Sequence, residues 1–405
     1  MGSDIVVITL GLRCLVEYSI SPADRRWSFP PLAAIFLVHL AWVTVQIFNP
    51  YGISILAGLA AYKVYMSFLL LYFIAYIFLR SPGDLRALMW LAVVILAGES
   101  LYSIYQFNQG EAALIGFSPN YARALFGRFT GAYFRPFGTT ATPGGASTLI
   151  YLAVPLLLAL FFDSRNIVVK LLIVALFLLA AYALFILQVR SAMIKAVVGM
   201  LFVTIIMFWR KPAAMMGAAA IVVALIYGAQ NFMEFGDARF AVAKSRFSTL
   251  SDIETFQNAR ATHFDQFIYL WNNAPLGIGL SRVGAASNYF QAELSRDQFY
   301  GREWSWADNL YRTLVVELGF PGLLFFLTLM MGPFVRVCYR TANSDERRGG
   351  VRLMAAGCAG LLGASIAGHW GSEISLYMPE SAYYWLFLGA AMRFSETLPA
   401  FARPD

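Results

Sequence analysis

Apolar runs of about 17–25 residues recur along almost the whole chain, each long enough to cross the roughly 30 Å hydrocarbon core of a bilayer. A chain with so many of them has few folds open to it, and the expectation is an all-α polytopic membrane protein. Composition agrees: of 405 residues 59% are hydrophobic and only 13% are charged, against about 25% charged in soluble domains. About eleven spans are expected, over 4–20, 31–48, 55–79, 86–106, 147–162, 166–189, 192–209, 213–228, 310–335, 351–369 and 377–396. The first run has no basic segment before it and no convincing small-residue cleavage site after it, so it reads as a helix rather than a signal peptide. No internal repeat or low-complexity segment is visible.

Loop charge sets the expected orientation. Alternate connections read SPADRRWSFP, RSPGDLR, DSRNIVVK, WRKPA and RVCYRTANSDERRGGVR, each with at least two Lys or Arg, and short basic loops stay in the cytoplasm. The other connections then face outward, including 107–146 and the segment 229–307. The expected organisation is an N-terminal transmembrane bundle over 1–228, a periplasmic cap over 229–307 and C-terminal transmembrane helices over 308–405. The net charge of +7 is spread over short loops, so it does not signal a nucleic-acid partner. Three cysteines, Cys14, Cys338 and Cys358, are too few and too scattered for a disulfide framework or a metal site.

The 107–146 loop carries Arg123, Arg128 and Arg135 against one acid, Glu111. Headgroup anchoring is one reading; a phosphate site is the other, because the guanidinium fork matches phosphate oxygens. GTTATPGGAST, at 138–148, leads from this loop into a helix whose first amides can face an anion. The 229–307 segment is too long for a passive connection. FDQFIYLWNN within it has helix-like apolar spacing and reads as part of a cap lying on the bundle. Most of its charges read as a solvated surface, with Arg260 and Arg282 in more suggestive contexts.

Arg260, Trp271 and the run PLGIGL at 275–280, followed by Asn309, Tyr311, Glu317, Gly319 and Gly322, resemble a family. The same order occurs in the superfamily of O-antigen ligases, Wzy-type polysaccharide polymerases and related oligosaccharyltransferases. QVRSA around Arg190 and QIFNP at 46–50 look like the same family, and the resemblance covers roughly residues 46–335. It implies a GT-C-like glycosyltransferase in the bacterial inner membrane with its active site facing the periplasm. The implied donor is a glycan on undecaprenyl diphosphate; the acceptor is another glycan or lipid A core, and a chain-length regulator is a further implied partner. No Asp-x-Asp motif occurs in the sequence. The expectation is therefore a metal-independent reaction without cofactors, with arginines supplying positive charge to the leaving diphosphate. Ligases carry a histidine where this chain has Asp308, which raises polymerase above ligase.

Arg135, Arg190, Arg260 and Arg282 are the expected diphosphate ligands, converging on one outward-facing cavity. Asn309, Arg312 and Glu317 complete the expected substrate contacts. Asp308 has two readings, a base for the acceptor hydroxyl and an N-cap of the following helix; Arg312, four residues on, shares its face. Glu317 falls on roughly the opposite face and has a second reading in ordering the bundle. His369, one turn before Glu373, is the secondary candidate for the base. Lys195 reads as snorkelling to the interface, and His39 as a packed core histidine. From another functional class, a transporter or flippase of lipid-linked sugars would place charges and broken helices near mid-membrane, whereas these arginines cluster toward one face.

Overall fold

The computed structural model describes residues 9–13, 16, 19–20, 30–66, 68–115, 129–130, 133–140, 142–211, 213, 215–217, 262–283, 309–344, 350–369 and 379–398. The described chain is helical apart from a two-residue antiparallel ladder, β1 (Phe129–Thr130) with β2 (Tyr133–Phe134). The helices are α1 (Ala33–Gln46), α2 (Ile55–Met66), α3 (Leu70–Phe78), α4 (Pro82–Ile115), α5 (Pro143–Asp163), α6 (Ile167–Leu187), α7 (Arg190–Phe208), α8 (Thr262–Asn273), α9 (Leu310–Ala342), α10 (Gly350–Gly368) and α11 (Glu380–Thr397). Among the described residues seven helical stretches are long and apolar enough to cross a bilayer: 55–78, 82–110, 143–163, 167–187, 190–208, 310–342 and 350–368. The protein is a multi-pass membrane protein. The expected spans 4–20 and 213–228 lie largely outside the described residues, and α1 is a shorter apolar helix.

The chain divides into two compact units. The first takes its described residues from 1–80, 256–337 and 369–393, and the second from 81–255, 338–368 and 394–405.

In the second unit α5 is the central helix, in contact with α4, α6, α7 and α10. Thr142 caps it, accepting the Gly145 amide at 3.1 Å, and Pro143 sits where a helix has no use for an N–H. Nearly every residue from Gly145 to Leu160 is buried. Small residues let the neighbouring backbones come close: a Cβ on Gly199 of α7 would fall 2.9 Å from the Gly360 carbonyl oxygen of α10. Four of the five basic connections meet at one end of this unit; the first, at 21–30, lies almost wholly outside the described residues. Arg86 pairs with Asp163 at 2.9 Å, a Cβ on Gly350 would meet both side chains, and the Trp209 indole donates to the Ala342 carbonyl at 3.0 Å. Residues 135–139 and the α6–α7 junction lie together at another place in the unit, where the Arg135 guanidinium donates to the Leu187 and Gln188 carbonyls. The grouping of basic loops is what their shared cytoplasmic assignment requires. With the three native cysteines replaced, a cysteine at Ser287 is expected to react with a membrane-impermeant reagent in intact cells, and one at Asp345 to be protected. The reverse pattern would overturn the orientation.

The first unit is organised around a break in α9. Gly319 has φ +69°, so the helix is interrupted there, and Pro321 follows, unable to donate an amide bond to the preceding turn. The chain after α8 fills the break. The Ile278 amide donates to the Val316 carbonyl at 2.8 Å, and the Phe320 amide to the Pro275 carbonyl at 3.0 Å. Leu270, Ala274, Ile278, Val283, Val315 and Val316 form the apolar core beneath this junction. His39 is buried against Phe326, with ring centroids 5.7 Å apart, as expected of a packed core histidine.

Candidate functional site

The run PLGIGL owes its composition to this junction. Gly277 has φ +89° and packs directly on α9: a Cβ there would fall 2.9 Å from the Glu317 carbonyl oxygen. The QIFNP stretch at the end of α1 holds the other side of the loop. Gln46 Nε2 donates to the Leu276 carbonyl at 2.9 Å. Asn49 Nδ2 donates to the Gly277 carbonyl at 3.1 Å and to Gln46 Oε1 at 2.7 Å. The Trp42 indole donates to the Leu318 carbonyl at 2.7 Å, satisfying an acceptor freed by the helix break. Motif segments separated by more than two hundred residues thus form one hydrogen-bonded knot.

Glu317 and Arg282 belong to that knot. Glu317 is buried; Oε2 accepts from the Tyr65 hydroxyl at 2.7 Å and Oε1 from the Val283 amide at 3.0 Å. Arg282 is also buried, its Nε donating to the Ile278 carbonyl at 3.3 Å and its Nη2 to the Tyr51 carbonyl. Ser281, at φ +68°, donates through its hydroxyl to the Ala57 carbonyl at 2.5 Å. A carboxylate and a guanidinium in these positions fix the loop to α2 and to the 49–54 turn. Ordering the bundle is one of the readings held for Glu317, and its oxygens meet groups of the first unit itself.

The α9 start gathers three of the expected site residues. Asn309 is buried and precedes the first residue of α9; its Oδ1 accepts the Arg312 amide at 3.2 Å. It is therefore the N-cap. The Leu310 amide donates to the His369 carbonyl at 3.0 Å, and the His369 ring stands edge-on to Tyr311 and Tyr384 at 6.2 and 6.1 Å. Arg312 and His369 are both buried. This is a helix N-terminus, whose partial positive charge suits an anion, with a guanidinium in its first turn and an imidazole beside it. Such a set brings a positive helix end, a cation and an imidazole together in the buried part of the first unit. Asp308, Arg260, Arg123, Arg128 and Glu373 lie outside the described residues.

In the second unit Arg135 ties down the Leu187–Gln188 turn, two residues before Arg190 opens α7. Gln188 takes the left-handed conformation there, φ +55°. Arg135 and Arg190 are thus both at the α6–α7 junction, while Arg282 belongs to the first unit.

Two groups escaped the sequence reading. Glu99 and Gln106, buried within α4, hold the loop that follows Arg135: Glu99 accepts the Thr139 amide at 2.9 Å and hydroxyl at 2.6 Å, and Gln106 Oε1 accepts the Phe137 and Gly138 amides at 3.0 and 2.8 Å. The available signal is their seven-residue spacing, which puts both on one helix face. Lys195 does not snorkel as expected. It is buried, with Nζ 5.0 Å from the centre of the Tyr151 ring and donating to the Tyr151 hydroxyl at 3.3 Å. The aromatic face and hydroxyl, rather than headgroups, receive its charge.

Residues 174–327 match the sequence profile of a family described as O-antigen ligase. They take in most of α6, all of α7 and α8, the PLGIGL loop and the first half of α9. Comparison with curated proteins gave no match.

Proposed function

From the match of residues 174–327 to a family described as O-antigen ligase, and from the motifs that resemble its superfamily, we propose that the chain polymerises lipid-linked oligosaccharide repeat units at the periplasmic face of the bacterial inner membrane. The donor is a glycan on undecaprenyl diphosphate. An acceptor sugar hydroxyl attacks the anomeric carbon, the bond to the diphosphate oxygen breaks, undecaprenyl diphosphate leaves and the hydroxyl proton passes to a base. Asp308 is the base in this reading, and His369 the alternative. Arg260 and Arg312 act on the leaving diphosphate, where fixed guanidinium charge lowers the barrier without a metal or other cofactor. Arg135 supports the turn that carries Arg190; Asn309, Glu317 and Arg282 hold the α9 start and its loop.

The observation that carries this reading is the hydrogen-bonded joining of three motif segments, QIFNP with the end of α1, PLGIGL and the α9 break at Gly319, at one place in the first unit. Aspartate at 308, where ligases carry histidine, favours polymerisation. A second reading, transfer of finished glycan to lipid A core, is favoured by the description of the matching family. Deleting the gene distinguishes them. The polymerase reading expects lipopolysaccharide capped by single repeats, or loss of secreted polymer; full-length chains left on the carrier lipid would establish the ligase reading instead.

A further inference from the structure

Helix α8 buries one side and leaves another apolar. Leu270 is fully buried and Phe267 packs on the core shared with Val315, Val316, Phe320 and Leu323 of α9. Ile268, Trp271 and, just past the helix, Leu276 are 63%, 62% and 57% exposed. Ile268 and Trp271 are three residues apart and share a face. The depth of α9 at this contact says what medium that face meets. Arg336 is the first charged residue after Glu317 along α9. Counting back from it, about 20 residues at 1.5 Å each cover the ~30 Å hydrocarbon core, so the core begins near Val316.

The α9 residues beneath α8 therefore run from the edge of the hydrocarbon core to about 10 Å inside it. The Trp271 ring meets Phe320 at 4.8 Å. Leu324, one turn along the same face of α9, is 62% exposed. The apolar surface of a spanning helix is thus continuous with the exposed face of α8. Beside that face stand exposed Asn272 and Asn273, polar groups of a kind that suits headgroup depth.

We propose that α8 is an interfacial helix, lying at the bilayer edge opposite the Arg336 end of α9, with Ile268, Trp271 and Leu276 in lipid. Tryptophan favours this depth because its ring is apolar and its N–H needs a polar partner. The segment is then seated in the membrane, rather than resting on the bundle as a water-exposed cap. The occupant of the face is the bilayer.

The test uses the full chain reconstituted in phosphatidylcholine vesicles. Subtracting the emission of a Trp271→Phe variant from that of the parent isolates Trp271. Lipid brominated high on its acyl chains is expected to remove about half of that difference emission, while aqueous iodide leaves it unchanged. Quenching by iodide but not by bromolipid would overturn the proposal by placing the face in water. Protection from both quenchers would overturn it by showing a protein covering. Should Trp271→Phe fail to fold, a nitroxide on Ile268→Cys, read against a labelled parent background, gives the same decision: faster relaxation by oxygen than by an aqueous nickel chelate supports lipid, and the reverse order refutes it.

Discussion

Asp308→Asn is expected to insert and accumulate like the parent chain while polymer length collapses. The sequence allows Asp308 two roles, helix cap or base. The cap of α9 is held by Asn309, whose Oδ1 accepts the Arg312 amide at 3.2 Å, so the helix start does not depend on a carboxylate at 308. Asparagine is nearly isosteric with aspartate and caps as well, but its amide cannot accept a proton usefully near neutral pH. General-base assistance is commonly worth about 10²–10⁴-fold in rate, and a loss of that size in repeat units added per minute is expected, with the amount of membrane-inserted chain as the control. Near-parental polymer from this variant would remove Asp308 from the chemistry and pass the role to His369, which lies against the first turn of α9.

Gly319→Val is expected to act on the fold itself. At φ +69° a β-branched residue is strained, by about 1–3 kcal/mol. The new side chain would also land on the backbone of Pro275, Leu276 and Gly277, where nothing flexible can move aside; overpacking of this kind costs about 1–3 kcal/mol more. A total of several kcal/mol is a large part of the 5–15 kcal/mol that holds a typical domain. Monodisperse chain recovered after detergent extraction should fall by about tenfold or more. Gly98→Ala in α4 is the control: a Cβ there meets nothing within 4 Å, and alanine is the better helix former. Recovery of Gly319→Val at the parental level would show that the α9 break and its loop do not hold the first unit together.

What the sequence disclosed follows from how local each signal is. Length and polarity of an apolar run are properties of adjacent residues, so the membrane class and most spanning helices are legible, as is the grouping of basic loops. The order of Arg260, PLGIGL and the α9 motif carries the family resemblance. Its physical reason is hidden, because Trp42 and Leu318 are 276 positions apart and Gln46 and Leu276 are 230 apart. From the sequence Glu317 is an acid inside a span; only the fold supplies the Tyr65 hydroxyl that meets it. Lys195 departs from its expected place for the same reason: its position near a helix end suggests headgroups, whereas Tyr151, 44 residues away, accepts from it. Asn309 looks like a substrate contact in a motif, yet its first duty is to begin a helix. Motif residues that build the scaffold carry no mark of it in a string of letters, and geometry identifies them.

Glycosyl transfer is tested most directly with purified chain in proteoliposomes given undecaprenyl-diphosphate-linked repeat units and no divalent metal. The products to follow are glycan length on the carrier and free undecaprenyl diphosphate. A ladder of longer glycans is expected, with one carrier diphosphate released for each repeat added, and about 10²–10⁴-fold slower formation of both products by the Asp308→Asn chain. Lipid-linked units that cross the bilayer but keep their original length, with no diphosphate released, would contradict it.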